Sequence, residues 1–153
     1  MSQDAVSLPK KLLVAVEGSE PSLKESSMKA ARYALKLASS SSAQLTAVCV
    51  VQIPEYVEEN TRVILRNELF AKSRLTLDEI AKLASESQVK FDSRVLETSS
   101  AISTAICDFS SRTGIDLIVL GTRANTSPLT KMMLGSVALG VTSNAHCAVL
   151  VVR

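Results

Sequence analysis

The chain has 153 residues, which suits one domain with a single core. It is 46% hydrophobic but only 3% aromatic and has no tryptophan, so the core has to be built from aliphatic side chains. Lys and Arg number 17 against 15 for Asp and Glu, and this net charge of +2 includes no long basic run. Proteins that grip duplex DNA need a concentrated basic surface, so we expect no nucleic-acid partner.

Membrane and export signals are missing from the sequence as well. Residues 1–10 lack a basic stretch followed by an apolar run, and no segment reaches the eighteen or so apolar residues that span a bilayer. Cys49, Cys107 and Cys147 show no Cys-x-x-Cys spacing, which favours reduced, packed thiols. We therefore expect a cytoplasmic protein without a membrane partner, with residues 1–10 as an N-terminal extension and residues 11–153 as the domain.

The first half of the chain alternates between strand and helix patterns. Residues 12–16 are continuously apolar and end in Glu17-Gly18-Ser19, which predicts a buried strand and a turn. From Ser22 the apolar and small residues, Ser27 among them, return every three or four positions, which predicts a helix that ends in the polar residues 39–42. Residues 44–51 read as a second buried strand.

The same alternation continues to the end of the chain. A long helix is predicted after Pro54, with Val63, Phe70, Leu77 and Ala84 on its buried face. Alternating residues 89–95 predict a strand near a sheet edge, and a third helix starts at residue 102 and ends near Gly114. Residues 116–120, 136–144 and 148–152 then predict a strand, a helix and a last strand.

Strands that alternate with helices form right-handed crossovers and a parallel sheet. The predicted fold class is therefore α/β, a doubly wound five-stranded parallel sheet of order 3-2-1-4-5 with helices on both faces. In such sheets ligands bind at the carboxyl ends of the strands where the winding reverses. That point lies between the first and fourth strands, so the segments after Val16 and Leu120 should form any ligand site.

The segment from Gly121 to Ser136 has the layout of an anion-binding loop. It leaves a strand through one glycine and enters a helix through Gly135-Ser136. Glycines allow a close approach to the backbone, and a helix N-terminus offers unpaired N–H groups to an anion. The alternative is that Gly135-Ser136 is an ordinary helix cap.

Four stretches of the sequence resemble the universal stress protein family. They are Leu-Leu-Val-Ala-Val-Glu-Gly-Ser at 12–19, Leu-Thr-Ala-Val-Cys-Val-Val at 45–51, Ile-Asp-Leu-Ile-Val-Leu-Gly-Thr-Arg at 115–123, and the ending from Leu134 to Arg153. The resemblance implies a small, usually dimeric domain. One subgroup of the family binds ATP through glycine, two residues, glycine, nine residues, and glycine followed by Ser or Thr, whereas another subgroup lacks this motif and binds no nucleotide.

The resemblance also assigns residues by position. Gly121 and Gly135 match the first and last glycines and Ser136 the hydroxyl residue, but Ala124 replaces the second glycine and ten residues separate it from Gly135. Glu17 matches an Asp that approaches the sugar and base, and Val50 a residue whose backbone meets the adenine. The predicted nucleotide-binding residues are Val16, Glu17, Gly18, Ser19, Val50, Gly121, Arg123, Ala124, Gly135, Ser136 and Val137. Lys131 is a further cation of the loop, and both it and Arg123 could instead be solvated surface charges.

The sequence does not point to catalysis. His146 is the only histidine, so neither a Ser-His-Asp set nor a two-histidine metal site can form within one chain. We therefore expect a binding or signalling module that is not an enzyme, and the resemblance implies ATP or a related adenine nucleotide, and Mg²⁺ with it, as the cofactor. The alternatives are a slow ATPase or other nucleotide-using enzyme, and a nucleotide-free protein-interaction domain.

The expected partners are a second copy of the chain and an unidentified protein. Residues 148–152 are uncharged and apolar, and as an outer strand they would expose unpaired backbone groups, which natural proteins rarely leave bare. We therefore expect a homodimer through this C-terminal strand. The alternative is that residues 2–9 fold back over the same edge.

Overall fold

The computed structural model describes residues 6–17, 21–122 and 134–153, apart from the side chains of residues 21–23. Within these residues, five strands and four helices alternate along the chain. The elements are β1 (Lys11–Val16), α1 (Pro21–Ser41), β2 (Gln44–Gln52), α2 (Glu59–Glu86), β3 (Phe91–Thr98), α3 (Ile102–Thr113), β4 (Leu117–Gly121), α4 (Ser136–Asn144) and β5 (Ala148–Val152). All nine elements predicted from the sequence are confirmed; the long helix predicted after Pro54 begins at Glu59, and the other boundaries shift by at most three residues.

The strands form one sheet in the order β3-β2-β1-β4-β5, and every neighbouring pair is parallel. The predicted fold class and strand order are therefore confirmed. β1 lies between β2 and β4, and its last residue, Val16, is in register with Cys49 of β2. The carboxyl ends of β1 and β4 thus meet at the point where the winding reverses.

Helices cover the sheet on both faces, as each strand's alternation of side chains requires. On one face, α1 contributes mainly alanines, such as Ala30, Ala31 and Ala34, and α2 contributes Leu77 and Ile80. On the other face, α3 and α4 pack against alternate residues of the same strands. Small residues on α1 let this helix approach the sheet closely, which matters for the site below.

The start of α2 departs from the sequence prediction. Leu77 and Ala84 are buried as expected, but Val63 is 49% exposed, so its assignment to the buried face was wrong. Two arginines instead reach from this part of α2 toward the sheet. Arg66 Nε lies 2.6 Å from a carboxylate oxygen of Glu97 on β3, and Arg62 donates to the carbonyl oxygen of Pro54 at 2.8 Å.

Two glycines fix the position of α3. Gly114 ends the helix in the left-handed conformation, with φ 70°, as predicted for a C-terminal cap. Gly140 of α4 faces Ser103 of α3, and a Cβ atom at position 140 would lie 2.6 Å from the Cβ atom of Ser103. The two helices therefore pack backbone to side chain, which holds the N-terminus of α4 beside the start of α3.

Candidate functional site

A cleft opens at the carboxyl ends of β1 and β4, where the fold predicts a ligand site. The cleft is open to solvent, and its cavity volume is about 80 Å³. Seven of the predicted residues line it: Val16, Glu17, Val50, Gly121, Gly135, Ser136 and Val137. We call it the main cleft. The other predicted residues, Gly18, Ser19, Arg123 and Ala124, lie outside the described residues, as does Lys131.

The N-terminus of α4 opens into the main cleft. Gly135 precedes the helix with φ 84° and ψ 159°, and no side chain caps it. Leu139 is the first residue of α4 whose N–H group donates to a main-chain carbonyl, that of Gly135. Among the described residues, nothing accepts a hydrogen bond from the N–H groups of Ser136, Val137 and Ala138, and all three residues line the cleft. This arrangement suits an anion, because unpaired N–H groups and the positive end of the helix dipole point toward it.

Gly135 and Gly121 serve different purposes. A Cβ atom on Gly135 would meet nothing within 4 Å, so glycine is required there by the positive φ angle alone. A Cβ atom on Gly121 would lie 2.6 Å from the carbonyl oxygen of Ser26. Gly121 is therefore explained by the contact between α1 and β4, whether or not a phosphate group approaches it.

Glu17 lies at the junction of the main cleft and a second one. It directly follows β1, and its N–H group donates to the hydroxyl oxygen of Ser27 at 2.8 Å. The second cleft, called the side cleft below, is lined by Glu17 together with Cys49, Val50, Val51, Gln52, Leu69, Lys72, Ser73 and Ile102. One carboxylate thus borders both spaces.

The end of β2 borders both clefts as well. The pairing of β1 with β2 stops at Val16 and Cys49, while β2 continues beside β3 to Gln52. Within the described residues, the carbonyl group of Val50 and the backbone groups of Gln52, which point toward β1, therefore have no strand partner. An edge of this kind can pair with the hydrogen-bonding groups of a flat, polar ring, as Val50 was expected to do.

Three polar residues of the main cleft were not named among the predicted site residues: Ser26, Ser27 and Thr122, although Thr122 lies within the predicted loop. The sequence contained one signal, because Ser27 falls within the apolar and small stripe of α1, where a polar residue needs a hydrogen-bond partner. No sequence pattern indicated Ser26 or its contact with Thr122, since this contact joins positions 96 residues apart.

The described residues do not assemble a catalytic or metal-binding set around the clefts. No group of three or more His, Cys, Asp or Glu residues that could hold a metal ion exists among them. His146 is exposed and precedes β5, at the end of the sheet opposite the clefts. The helices in the described part of the chain include none that is long and apolar enough to cross a membrane.

Comparison with known proteins gives one consistent result. The model of the universal stress protein family matches residues 9–153. A universal stress protein of Methanocaldococcus jannaschii is 34% identical over 149 residues, which cover 95% of this chain and 83% of that protein.

Solved structures show the same fold. Universal stress protein UspA from Lactobacillus plantarum superimposes with a TM-score of 0.77 at 24% identity, covering 97% of this chain and 100% of its own. A universal stress protein family protein from Arabidopsis thaliana, solved with AMP bound, has a TM-score of 0.69 at 20% identity, covering 94% of this chain and 91% of its own.

Proposed function

Because the chain belongs to the universal stress protein family, we propose that it binds an adenine nucleotide in the main cleft and acts as a dimeric stress-response module without turnover of its own. The observation that carries this proposal is the N-terminus of α4, where the N–H groups of Ser136, Val137 and Ala138, which have no acceptor among the described residues, meet the cleft. The structural relatives support the choice of ligand, since AMP, dAMP and cAMP are bound in three of them.

The geometry suggests how the nucleotide lies. Its phosphates would accept hydrogen bonds from the start of α4, where Gly135 leaves the approach open. The base would reach the free edge of β2 at Val50, and Glu17 between the two would accept from the sugar hydroxyls. With no metal-ligand cluster among the described residues, a Mg²⁺ ion would enter bound to the phosphates of ATP.

The absence of turnover is part of the proposal. Among the described residues that line the main cleft, Glu17 is the one ionisable side chain, and no second group stands by as a general base. The ligand would then act by changing stability or surface, and an unidentified protein would respond to the change. The cytoplasmic location expected from the sequence stays a prediction.

The two outer strands of the sheet, β3 and β5, differ in charge, and this difference supports a dimer. β3 carries Asp92, Arg94 and Glu97, and charges of this kind protect an edge against pairing. β5, with the sequence Ala-Val-Leu-Val-Val, has no charge. Among residues 6–9, which could have covered that edge, Val6 and Leu8 remain exposed. We therefore propose that β5 pairs with β5 of a second copy about a two-fold axis.

Two substitutions at the first position of α4 test the nucleotide site. Ser136→Ala removes the hydroxyl group, whereas Ser136→Pro removes the hydroxyl and the N–H group but keeps the helix, because proline is well tolerated at this position. A hydrogen bond to a charged group contributes about 1.5–3 kcal/mol, so Ser136→Pro should weaken ATP or AMP binding about 10- to 100-fold, more than Ser136→Ala does. Isothermal titration calorimetry measures both.

Glu59→Pro is the matched control, since Glu59 is the first residue of α2 and lies in neither cleft. It should bind nucleotide like the unchanged chain. Failure of the unchanged chain to bind ATP, AMP or cAMP at millimolar concentration would contradict the proposal and favour a nucleotide-free interaction domain. Release of inorganic phosphate from ATP would instead favour the slow ATPase.

A further inference from the structure

We infer that Ser26 and Ser27 are positioning residues of the nucleotide site, which together hold the ends of β1 and β4 at the spacing that the ligand needs. The inference rests on the proposed function and adds residues that neither the motif nor the family comparison assigns. The two serines are neighbours on α1, and both line the main cleft. One bonds to the chain after β1 and the other to the chain after β4.

Ser27 holds the end of β1. The pairing of β1 with β2 stops at Val16, so the N–H group of Glu17 lies beyond the last strand pair. The Ser27 hydroxyl accepts from this N–H group at 2.8 Å, and Ser27 is only 7% exposed. This half-buried N–H group is thereby paired, and the hydrogen bond fixes the backbone of Glu17, which lines both clefts.

Ser26 holds the end of β4. Its hydroxyl donates to the carbonyl oxygen of Thr122, the residue directly after β4. The backbone of α1 lies against Gly121 at the same place, where a Cβ atom would have no room. Thr122 in turn donates its N–H group to the carbonyl oxygen of Val152 at 3.0 Å. The wall of the cleft at Thr122 is thus fixed to α1 on one side and to β5 on the other.

The hydrogen bonds of Ser26 and Ser27 lie where the chain leaves the sheet after β4 and β1. After β1 the chain continues to α1 on one face of the sheet, and the helix that follows β4, α4, lies on the other face. Between β1 and β4, the ends of two neighbouring strands therefore lead away from each other. Through α1, the hydrogen bonds of Ser26 and Ser27 connect the two strand ends across this gap, where the main cleft lies.

Two other helical serines in the described chain, Ser41 and Ser110, behave differently. Their hydroxyl groups donate to carbonyl oxygens four and three residues earlier in their own helices. Such local bonds are the usual state of a serine inside a helix. Ser26 and Ser27 instead bond to residues that are 96 and 10 positions away, so their hydroxyl groups connect different elements.

The experiment compares Ser26→Ala and Ser27→Ala with Ser110→Ala. Ser110 is buried, at 3% exposure, as Ser27 is, but its hydroxyl bonds locally to Cys107 and lies in neither cleft. Calorimetric titration with AMP and urea unfolding are measured for each variant. We expect the two cleft variants to bind AMP about tenfold more weakly, whereas Ser110→Ala loses stability but keeps the affinity of the unchanged chain.

A double-mutant cycle tests the mechanism. If Ser27 acts by positioning Glu17, then adding Ser27→Ala to Glu17→Gln should weaken AMP binding no further than Glu17→Gln does alone. Ser26→Thr, which retains a hydroxyl group, should recover the affinity lost in Ser26→Ala. If Ser27→Ala does not fold, Ser26→Ala and its threonine counterpart decide the question.

The outcomes separate this inference from the proposed function. AMP binding by the unchanged chain together with unchanged affinity in both alanine variants would overturn the positioning role and leave the nucleotide site in place. If the losses of AMP affinity in Ser27→Ala and Glu17→Gln add in full in the double variant, Ser27 does not act through Glu17. No binding by the unchanged chain would overturn the proposed function and the inference with it.

Discussion

Gly121 and Ser26 are in contact through their backbones: a Cβ atom on Gly121 would lie 2.6 Å from the carbonyl oxygen of Ser26. The contact joins β4 to α1 beside the cleft. We expect Gly121→Ala to destabilise the fold by about 1–3 kcal/mol, the usual cost of overpacking. Urea unfolding measures this change without any ligand.

Gly114→Ala is the control for this substitution. Gly114 has φ 70°, and a Cβ atom there would meet nothing within 4 Å, so alanine adds backbone strain without crowding. Gly114→Ala should lower the free energy of unfolding by about 1 kcal/mol. A Gly121→Ala variant as stable as the unchanged chain would show that α1 can move away from β4 freely.

Gly135 should respond to substitution in another way. Its φ of 84° and ψ of 159° fall in a region that is almost restricted to glycine, while the space around it is open. Gly135→Ala and Gly135→Ser should therefore each lower the free energy of unfolding by about 1–3 kcal/mol. The two losses should be similar, because the strain is in the backbone. A cost that rises steeply with side-chain size in urea unfolding would mean that crowding dominates instead.

The two glycines show how far the sequence could predict the site. Both were assigned to an anion-binding loop, and both do line the cleft. From the sequence alone, Gly135, which is required by its positive φ angle, could not be told from Gly121, which is required because a helix packs against it. The requirement at Gly121 depends on Ser26, which is far away along the chain. For the same reason the contact between Ser26 and Thr122 could not be predicted, because it exists only after folding.

The fold was more predictable than the site because it depends on local periodicity. The buried strands are continuous apolar runs and most helices show a three-to-four-residue repeat, and these patterns set the element order. The exception is the start of α2, where Val63 had the right spacing for burial. There Arg66 of α2 pairs with Glu97 on β3, a contact between distant residues that the helical repeat does not reveal.

The cysteine thiols predict a pH dependence of stability. Burial raises the pKa of Cys107 above its usual range, and the neighbouring Asp108 and Cys147 raise it further. Burial also raises the pKa of Cys147, although a backbone hydrogen bond from Ile118 acts in the opposite direction. As the pH rises past about 8.5, the unfolded chain loses these protons before the folded chain does, so stability falls.

Urea midpoints between pH 7 and pH 10 measure this effect. The stability due to the two thiols is fully present below about pH 8.5 and is lost as the pH rises through their raised values in the folded chain. A variant with both Cys107→Ala and Cys147→Ala should decline less steeply over this range. Parallel curves for the variant and the unchanged chain would assign the decline to other groups.

The last prediction concerns the outer edge of β5. The carbonyl oxygen of Val152 accepts from Thr122 and therefore faces β4. Because backbone groups alternate in direction along a strand, those of Leu150 also face β4, whereas those of Val151 face outward. Val151→Pro thus removes a donor from the proposed dimer contact and leaves the pairing with β4 intact, while Leu150→Pro breaks that pairing.

Light scattering at micromolar concentration distinguishes the two substitutions. The unchanged chain should have twice the 16.3 kDa mass of one copy. Val151→Pro should reduce the mass to one copy with the helical circular dichroism retained, since proline is tolerated on an edge strand. Leu150→Pro should instead lower the unfolding midpoint sharply, because a ladder hydrogen bond inside the sheet is lost. A single-copy mass for the unchanged chain would contradict the dimer, and a dimer that persists in Val151→Pro would place the contact on another surface.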